Sequence, residues 1–127
     1  MQNNLDAKLE ALAAFDGGLY NSDFLLTWKQ NDAALRQVLL IAEVLQGLFE
    51  RGVSTRVFDT GLGMAIFRDK STRTRYSFKS ACNLLGLATE EISEETSQIS
   101  HGETVRETAT MISFLSEVIG IRDDMYL

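Results

Sequence analysis

Hydrophobic residues recur at helical spacing in four stretches of the chain, which predicts four helices. These helices are expected at residues 4–14, 32–51, 72–85 and 103–116. Short apolar runs without that spacing predict two strands, and residues 87–92 are a third strand candidate. The strands are expected at residues 64–67, 87–92 and 118–121. Because strands and helices alternate in the second half, the pattern predicts an α/β fold, a parallel sheet flanked by helices.

Local signals mark the ends of two predicted helices. Asn31 can cap the helix over 32–51 and Gly52 can end it, while Gly86 is the stop signal of the helix over 72–85. Helical spacing also predicts which side chains face a core. The expected stripes are Leu35, Val38, Leu39, Ala42, Leu45 and Phe49, then Phe78, Ala81, Cys82 and Leu85, then Val105, Ala109, Ile112 and Leu115.

Composition narrows the class of protein. The chain has 127 residues, 45% of them hydrophobic and 24% charged, which predicts one globular domain over residues 1–127. Its formal net charge of -6 disfavours a nucleic-acid binder. The one cysteine, Cys82, excludes an internal disulfide and favours a cytoplasmic protein. The longest apolar run, residues 38–42, is too short to cross a membrane, and no secretory signal precedes it.

The segment from Ser71 to Arg75 carries the strongest chemical signal. It lies between a predicted strand and a predicted helix, where the free N–H groups of the helix favour an anion. Ser71, Thr72 and Thr74 add hydroxyl donors, and Arg73 can pair two donors with phosphate oxygens. The segment therefore predicts a phosphate site. The alternative is a solvated helix start in which serine and threonine act only as caps.

Ser71-Thr72-Arg73-Thr74-Arg75, placed after a strand, resembles the signature of the aspartate/ornithine carbamoyltransferase family. Residues 98–104 resemble the loop that opens that family's next helix, and residues 120–122 resemble a strand end that supplies another arginine. Matching spacing runs from about residue 24 to 122. Residues 97–108 look most similar to the YgeW-type branch, whose second substrate is not settled.

The resemblance implies an incomplete N-terminal, carbamoyl phosphate-binding domain of a two-domain transcarbamylase. Such an enzyme transfers the carbamoyl group from carbamoyl phosphate to the amino group of an amino acid or related amine. It needs no metal or organic cofactor and assembles as a homotrimer. The 127-residue chain alone is expected to be inactive, since the family's His-Pro motif and amine-binding domain are not in this sequence.

The resemblance also implies a role for individual residues. The phosphate-binding positions correspond to Ser71, Thr72, Arg73 and Thr74. Arg122 corresponds to an arginine that contacts carbamoyl phosphate, so Arg73, Thr74 and Arg122 are the expected catalytic residues. Arg75 corresponds to a structural arginine. Gln98 corresponds to a loop residue that reaches a neighbouring subunit's site. His101 stands where relatives have lysine or arginine.

Two other classes of function compete with the transferase. One is a non-catalytic module that binds phosphate ligands or a partner subunit. The other is a basic helix that contacts nucleic acid, for which the chain offers only Lys70, Arg73, Arg75 and Lys79. The negative net charge counts against the second class.

Several weaker signals are interpreted as structural. Asp59-Thr60-Gly61 resembles an aspartic protease motif but also suits a turn before a strand. His101-Gly102-Glu103 has the spacing of a zinc deaminase without its cysteine partners, so a helix start is preferred. Residues 90–95 form an acidic cluster that is expected to be solvated, as is Lys79. Cys82 is expected to be buried.

Overall fold

The computed structural model describes residues 2–68, 71–93 and 104–123. The chain divides into two compact units, Met1–Ser54 and Thr55–Leu127. The first unit contains helices α1 (Gln2–Ala13) and α2 (Asp32–Glu50), with a 3₁₀ turn at Thr27–Lys29 between them. The second unit contains, in chain order, β1 (Leu62–Phe67), α3 (Thr72–Leu85), β2 (Ala88–Glu91), α4 (Val105–Leu115) and β3 (Val118–Arg122).

The first unit is a pair of packed helices. Asn31 caps α2 by accepting the Ala34 N–H at 2.7 Å, and Gly52 follows the helix with a left-handed φ of 68°. Both predicted ends of this helix are therefore confirmed. α1 packs on α2 and buries Leu5 and Val44.

The apolar stripe predicted for α2 is wrong in part. Val38, Leu39 and Phe49 are exposed, whereas Ala34 and Val44 are buried. α2 is apolar around much of its circumference, so spacing alone did not single out the side that α1 covers.

The second unit is built on a three-stranded parallel sheet in the order β2-β1-β3. This confirms the predicted fold class. β1 is central, and its residues Met64, Ala65 and Phe67 are buried. In the register, Ala65 pairs with Glu91 on one side and Gly120 on the other, while Phe67 pairs with Arg122.

Two side chains of α3 pack closely against glycine residues of the sheet. Cys82 lies against Gly63 of β1, and Phe78 lies against Gly120 of β3. The Phe78 ring also meets Phe67 edge-on, with centroids 5.9 Å apart. Because side chains alternate along a strand, alternate residues of β1 from Gly63 to Phe67 face α3. Arg122, paired with Phe67, projects from the same face.

The bounds predicted for α3 are confirmed, and its ends show why. Ser71 is the N-cap, with its side chain accepting the Thr74 N–H, and Gly86 follows the helix at a φ of 105°. A left-handed φ of this kind is readily adopted only by glycine. Of the predicted stripe, Cys82 is buried while Phe78 and Leu85 are half-buried and Ala81 is exposed.

α4 begins with a capping box, in which Thr104 accepts the Glu107 N–H and Glu107 accepts the Thr104 N–H. Its buried residues are Thr108 and Ile112. The prediction that Val105 and Leu115 face the core is wrong, since both are exposed; Ala109 is exposed as well.

The error on α4 has a physical reason. Thr108 is polar and lies outside the predicted stripe, but its hydroxyl donates to the Thr104 carbonyl at 3.2 Å and can therefore be buried. No helix within residues 2–68, 71–93 and 104–123 has the length and hydropathy needed to cross a bilayer.

Candidate functional site

The predicted phosphate segment lies at the carboxyl edge of the sheet. β1 ends at Phe67, β3 ends at Arg122, and these two residues are paired across the sheet. α3 starts at Thr72, directly after Ser71. Ligands of open parallel sheets bind at this edge. The fold therefore brings a helix start and two strand ends together at the place where an anion site is expected.

Arg122 joins the two strand ends to the start of α3. Its Nη1 donates to Ser71 Oγ at 3.2 Å and also to Thr74 Oγ1. The Ser71 hydroxyl in turn donates to Thr74 Oγ1 at 3.1 Å. Three predicted site residues thus form one hydrogen-bonded cluster, in which Arg122 is 51 positions from Ser71 and 48 from Thr74 in the chain. We call Ser71, Thr74 and Arg122 the anion cluster.

Thr72 and Arg73 complete the first turn of α3, and both are exposed. The first backbone N–H groups of a helix have no partner within the helix. The Thr74 N–H donates to the Ser71 hydroxyl, so those of Thr72 and Arg73 are the ones that can bind an anion. Arg73 has no ion-pair partner among the residues that the structure describes. Gln98 and His101, the other two predicted positions, lie outside the described residues.

Arg75 points away from the anion cluster to a carboxylate on β2. Its Nε lies 2.6 Å from Glu91 Oε1, and Lys79 Nζ lies 2.8 Å from Glu91 Oε2. The hydrogen bond and charge of Lys79, with those of Arg75, hold the pKa of the Glu91 carboxyl below its usual value. Arg75 thus links α3 to β2, in agreement with a structural role.

These ion pairs correct two expectations. Glu91 was grouped with a solvated acidic cluster, and Lys79 was expected to be solvated, yet both are largely covered and paired. The sequence did contain a signal. Arg75 and Lys79 are four residues apart and share a helix face, while strand alternation turns Glu91 toward α3.

A further ion pair lies where β1 and β3 end. Arg68 Nε is 3.6 Å from Asp123 Oδ2, and the Arg68 N–H donates to the Arg122 carbonyl at 3.1 Å. These contacts fix the backbone just beyond β1 against the end of β3. They hold the Arg122 backbone in the position from which its side chain contacts the start of α3.

The structural interpretations of Asp59-Thr60-Gly61 and of Cys82 are confirmed. Asp59 and Thr60 form a bend before β1, as expected for a turn. Cys82 is buried, and burial raises the pKa of its thiol, which disfavours the reactive thiolate. Within the described ranges no group of three His, Cys, Asp or Glu side chains could hold a metal ion. His101 and residues 94–95 fall outside those ranges.

The family model for the carbamoyl phosphate-binding domain of aspartate/ornithine carbamoyltransferase matches residues 22–126. YgeW of Escherichia coli (strain K12) is 52% identical over 127 residues, which is 100% of this chain and 32% of that protein. The ornithine carbamoyltransferase of Prochlorococcus marinus subsp. pastoris is 34% identical over 104 residues, covering 82% of this chain and 32% of that protein.

The chain therefore spans about a third of the length of these relatives. Among solved structures, aspartate transcarbamoylase from Trypanosoma cruzi in complex with carbamoyl phosphate and aspartate superposes with a TM-score of 0.75. The match covers 85% of this chain and 34% of that chain at 22% sequence identity. At that identity the likeness concerns the fold.

Proposed function

Because the chain belongs to the aspartate/ornithine carbamoyltransferase family, we propose that the anion cluster binds the phosphate group of carbamoyl phosphate. One observation carries the proposal: Arg122, at the end of β3, donates hydrogen bonds to the hydroxyls of Ser71 and Thr74 at the start of α3. A guanidinium, two hydroxyls and the backbone N–H groups of Thr72 and Arg73 are all donors, and a phosphate dianion offers only acceptors.

Arg73 and Thr72 extend the proposed site. The Thr72 hydroxyl and the backbone N–H groups of the first turn add donors, and Arg73 adds a second exposed positive charge. Two guanidinium groups match the two negative charges of a phosphate dianion. The positive end of the α3 dipole adds to this attraction.

The reaction proposed for the whole protein is carbamoyl transfer. The nitrogen of an amine attacks the carbamoyl carbon, the bond from that carbon to the bridging oxygen of the phosphate breaks, and phosphate leaves while the amine loses a proton. Negative charge grows on the carbonyl oxygen and on the leaving phosphate. Arg73, Thr74 and Arg122 are the residues proposed to stabilise that charge, and each such donor typically contributes about 3–4 kcal/mol.

The proposal extends to the second substrate and the assembly. The relatives' names specify aspartate and ornithine, so an amino acid or related amine is the proposed acceptor, within the amino acid metabolism of the cytoplasm. The proposed assembly is a homotrimer in which Gln98 reaches a neighbouring subunit's site. Analytical ultracentrifugation of the full-length protein tests this, and a stable monomer would contradict it.

Calorimetric titration with a phosphonate analogue of carbamoyl phosphate tests the site. Thr74→Val keeps the shape of the side chain and removes its hydroxyl, so binding should weaken by about 10–100-fold, the value of a hydrogen bond to a charged group. Arg73→Ala should weaken binding as well.

Arg36→Ala is the matched control, since Arg36 is an exposed arginine in the second turn of α2. It should leave affinity within about twofold of the wild-type value, as is usual for an exposed side chain. Equal losses in Arg73→Ala and Arg36→Ala would contradict the assignment. Tight binding without transfer to any amine would favour the non-catalytic module instead.

A further inference from the structure

We propose that Glu91 is a positioning residue of the anion site, which ties the start of α3 to β2 from the side opposite Arg122. The inference rests on the proposed function, since it assigns Glu91 a role in anion binding. Glu91 itself would not touch the ligand. It would act through Arg75, the residue that directly follows Thr74 of the anion cluster.

The contacts of Glu91 occupy both of its carboxylate oxygens. Oε1 accepts from Arg75 Nε at 2.6 Å, and Oε2 accepts from Lys79 Nζ at 2.8 Å. Only 26–28% of each of the three side chains is exposed. Glu91 pairs in register with Ala65 of β1, so its side chain projects from the sheet face that α3 covers.

The start of α3 is thus joined to both outer strands of the sheet. Thr74 accepts from Arg122 on β3, and Arg75 donates to Glu91 on β2. A phosphate bound at the cluster would compete with Thr74 for the donors of Arg122. The ion pair between Arg75 and Glu91 would then remain as the tie that keeps the first turn in place over the sheet.

Charge and position predict opposite effects for this residue, which makes the role testable. Glu91 lies on β2 and Arg122 on β3, two strand spacings apart, so their strands are separated by roughly 10 Å. A negative charge at that distance repels a phosphate, and its removal by Coulomb's law alone should tighten binding by about twofold. Removing the carboxylate would also leave Arg75 and Lys79 as unpaired cations, which would tighten phosphate binding further. Loss of positioning should weaken it.

The test is a calorimetric titration with inorganic phosphate at constant ionic strength. Glu91→Gln should bind phosphate about tenfold more weakly than the wild type, the lower end of the loss that removing an outer-shell partner causes at metal sites. Lys79→Gln is the matched control, because it breaks an ion pair to the same carboxylate but leaves the Arg75 pair intact. Its affinity should stay within about twofold. Circular dichroism at the titration temperature checks that each variant is folded.

Unchanged or tighter binding by Glu91→Gln would overturn the inference, as would equal losses in Glu91→Gln and Lys79→Gln. If Glu91→Gln fails to fold, Glu91→Asp replaces it. That variant keeps the negative charge but has a shorter side chain, so an intermediate loss of phosphate affinity is expected. Wild-type affinity would overturn the positioning role. Thr74→Val separates the two claims. If Thr74→Val binds phosphate as tightly as the wild type does, the proposed function fails. If Thr74→Val binds phosphate more weakly but Glu91→Gln does not, only the inference about Glu91 is refuted.

Discussion

Replacing Gly120 by alanine would place a methyl group between β3 and the ring of Phe78. The new Cβ would lie 2.5 Å from Cε2, 2.8 Å from Cδ2 and 2.9 Å from Cζ of that ring. Relaxed contacts between carbons are about 3.5–4.0 Å. The ring also meets Phe67 edge-on at a centroid distance of 5.9 Å, which limits where it can move. The ring, and the helix that carries it, must therefore shift by about 1 Å, the difference between those distances.

The cost follows from the usual penalty for overpacking. Extra methyl groups in a packed core cost about 1–3 kcal/mol. Alanine recovers about 0.4–1 kcal/mol because it restricts the unfolded chain more than glycine does. The expected net loss in the free energy of unfolding is about 1–2 kcal/mol. Because α3 carries Ser71 and Thr74, moving it off β3 should also weaken phosphate binding.

Urea denaturation measures the loss in stability, and two further variants identify its cause. Gly47→Ala on α2 brings a new Cβ to within 2.9 Å of Leu5 Cδ1, the end of a flexible side chain, and gains helix propensity. It should be neutral or stabilising. In a Phe78→Leu background, Gly120→Ala should cost much less than in the wild type. Wild-type stability for Gly120→Ala, or the same cost in both backgrounds, would refute the reasoning.

Other predictions concern the helix stop, the Glu91 ion pairs and the thiol. Gly86→Ala should destabilise the protein more than Gly52→Ala by urea denaturation, because both have left-handed φ but only at Gly86 would a Cβ collide with the Phe58 carbonyl. Equal losses would be contrary evidence. Folding lowers the pKa of the Glu91 carboxyl. The ionised carboxylate therefore stabilises the folded protein at pH values above the pKa that Glu91 has in the unfolded chain. This stabilisation is lost as the pH falls through the pKa that Glu91 has in the folded protein. Glu91→Gln should cost about 1–2 kcal/mol at pH 7 and progressively less below about pH 4; a cost independent of pH would argue against the ion pairs. Cys82, buried with a raised pKa, should react with a thiol reagent at least about tenfold more slowly when native than in urea.

The element order and most boundaries could be predicted because local chemistry marks them. Asn31 and Ser71 are caps with oxygen side chains, and Gly52 and Gly86 adopt the left-handed backbone that ends a helix. Alternation of strands and helices then implied a parallel sheet, since parallel strands need crossover connections. These signals are contained within a few neighbouring residues each.

The orientation of helix faces and the ion pairs could not be predicted in the same way. They depend on which residues of distant elements meet, and on the register that turns Glu91 toward α3. Val105 and Leu115 show that a regular apolar stripe does not fix the buried face, because Thr108 with a satisfied hydroxyl is buried instead. The convergence of Arg122 with Ser71 was implied by family resemblance, not by spacing. The binding roles of these residues stay predictions.

A crystal structure of the protein with a phosphonate analogue of carbamoyl phosphate tests the central claim most directly. The account predicts the phosphonate group at the start of α3, with its oxygens within hydrogen-bond distance of Thr74 Oγ1, the Arg122 guanidinium and the first backbone N–H groups of the helix. Arg73 should turn onto the same group. A phosphonate bound at another edge of the sheet, with Arg122 still donating to Ser71 and Thr74, would contradict it.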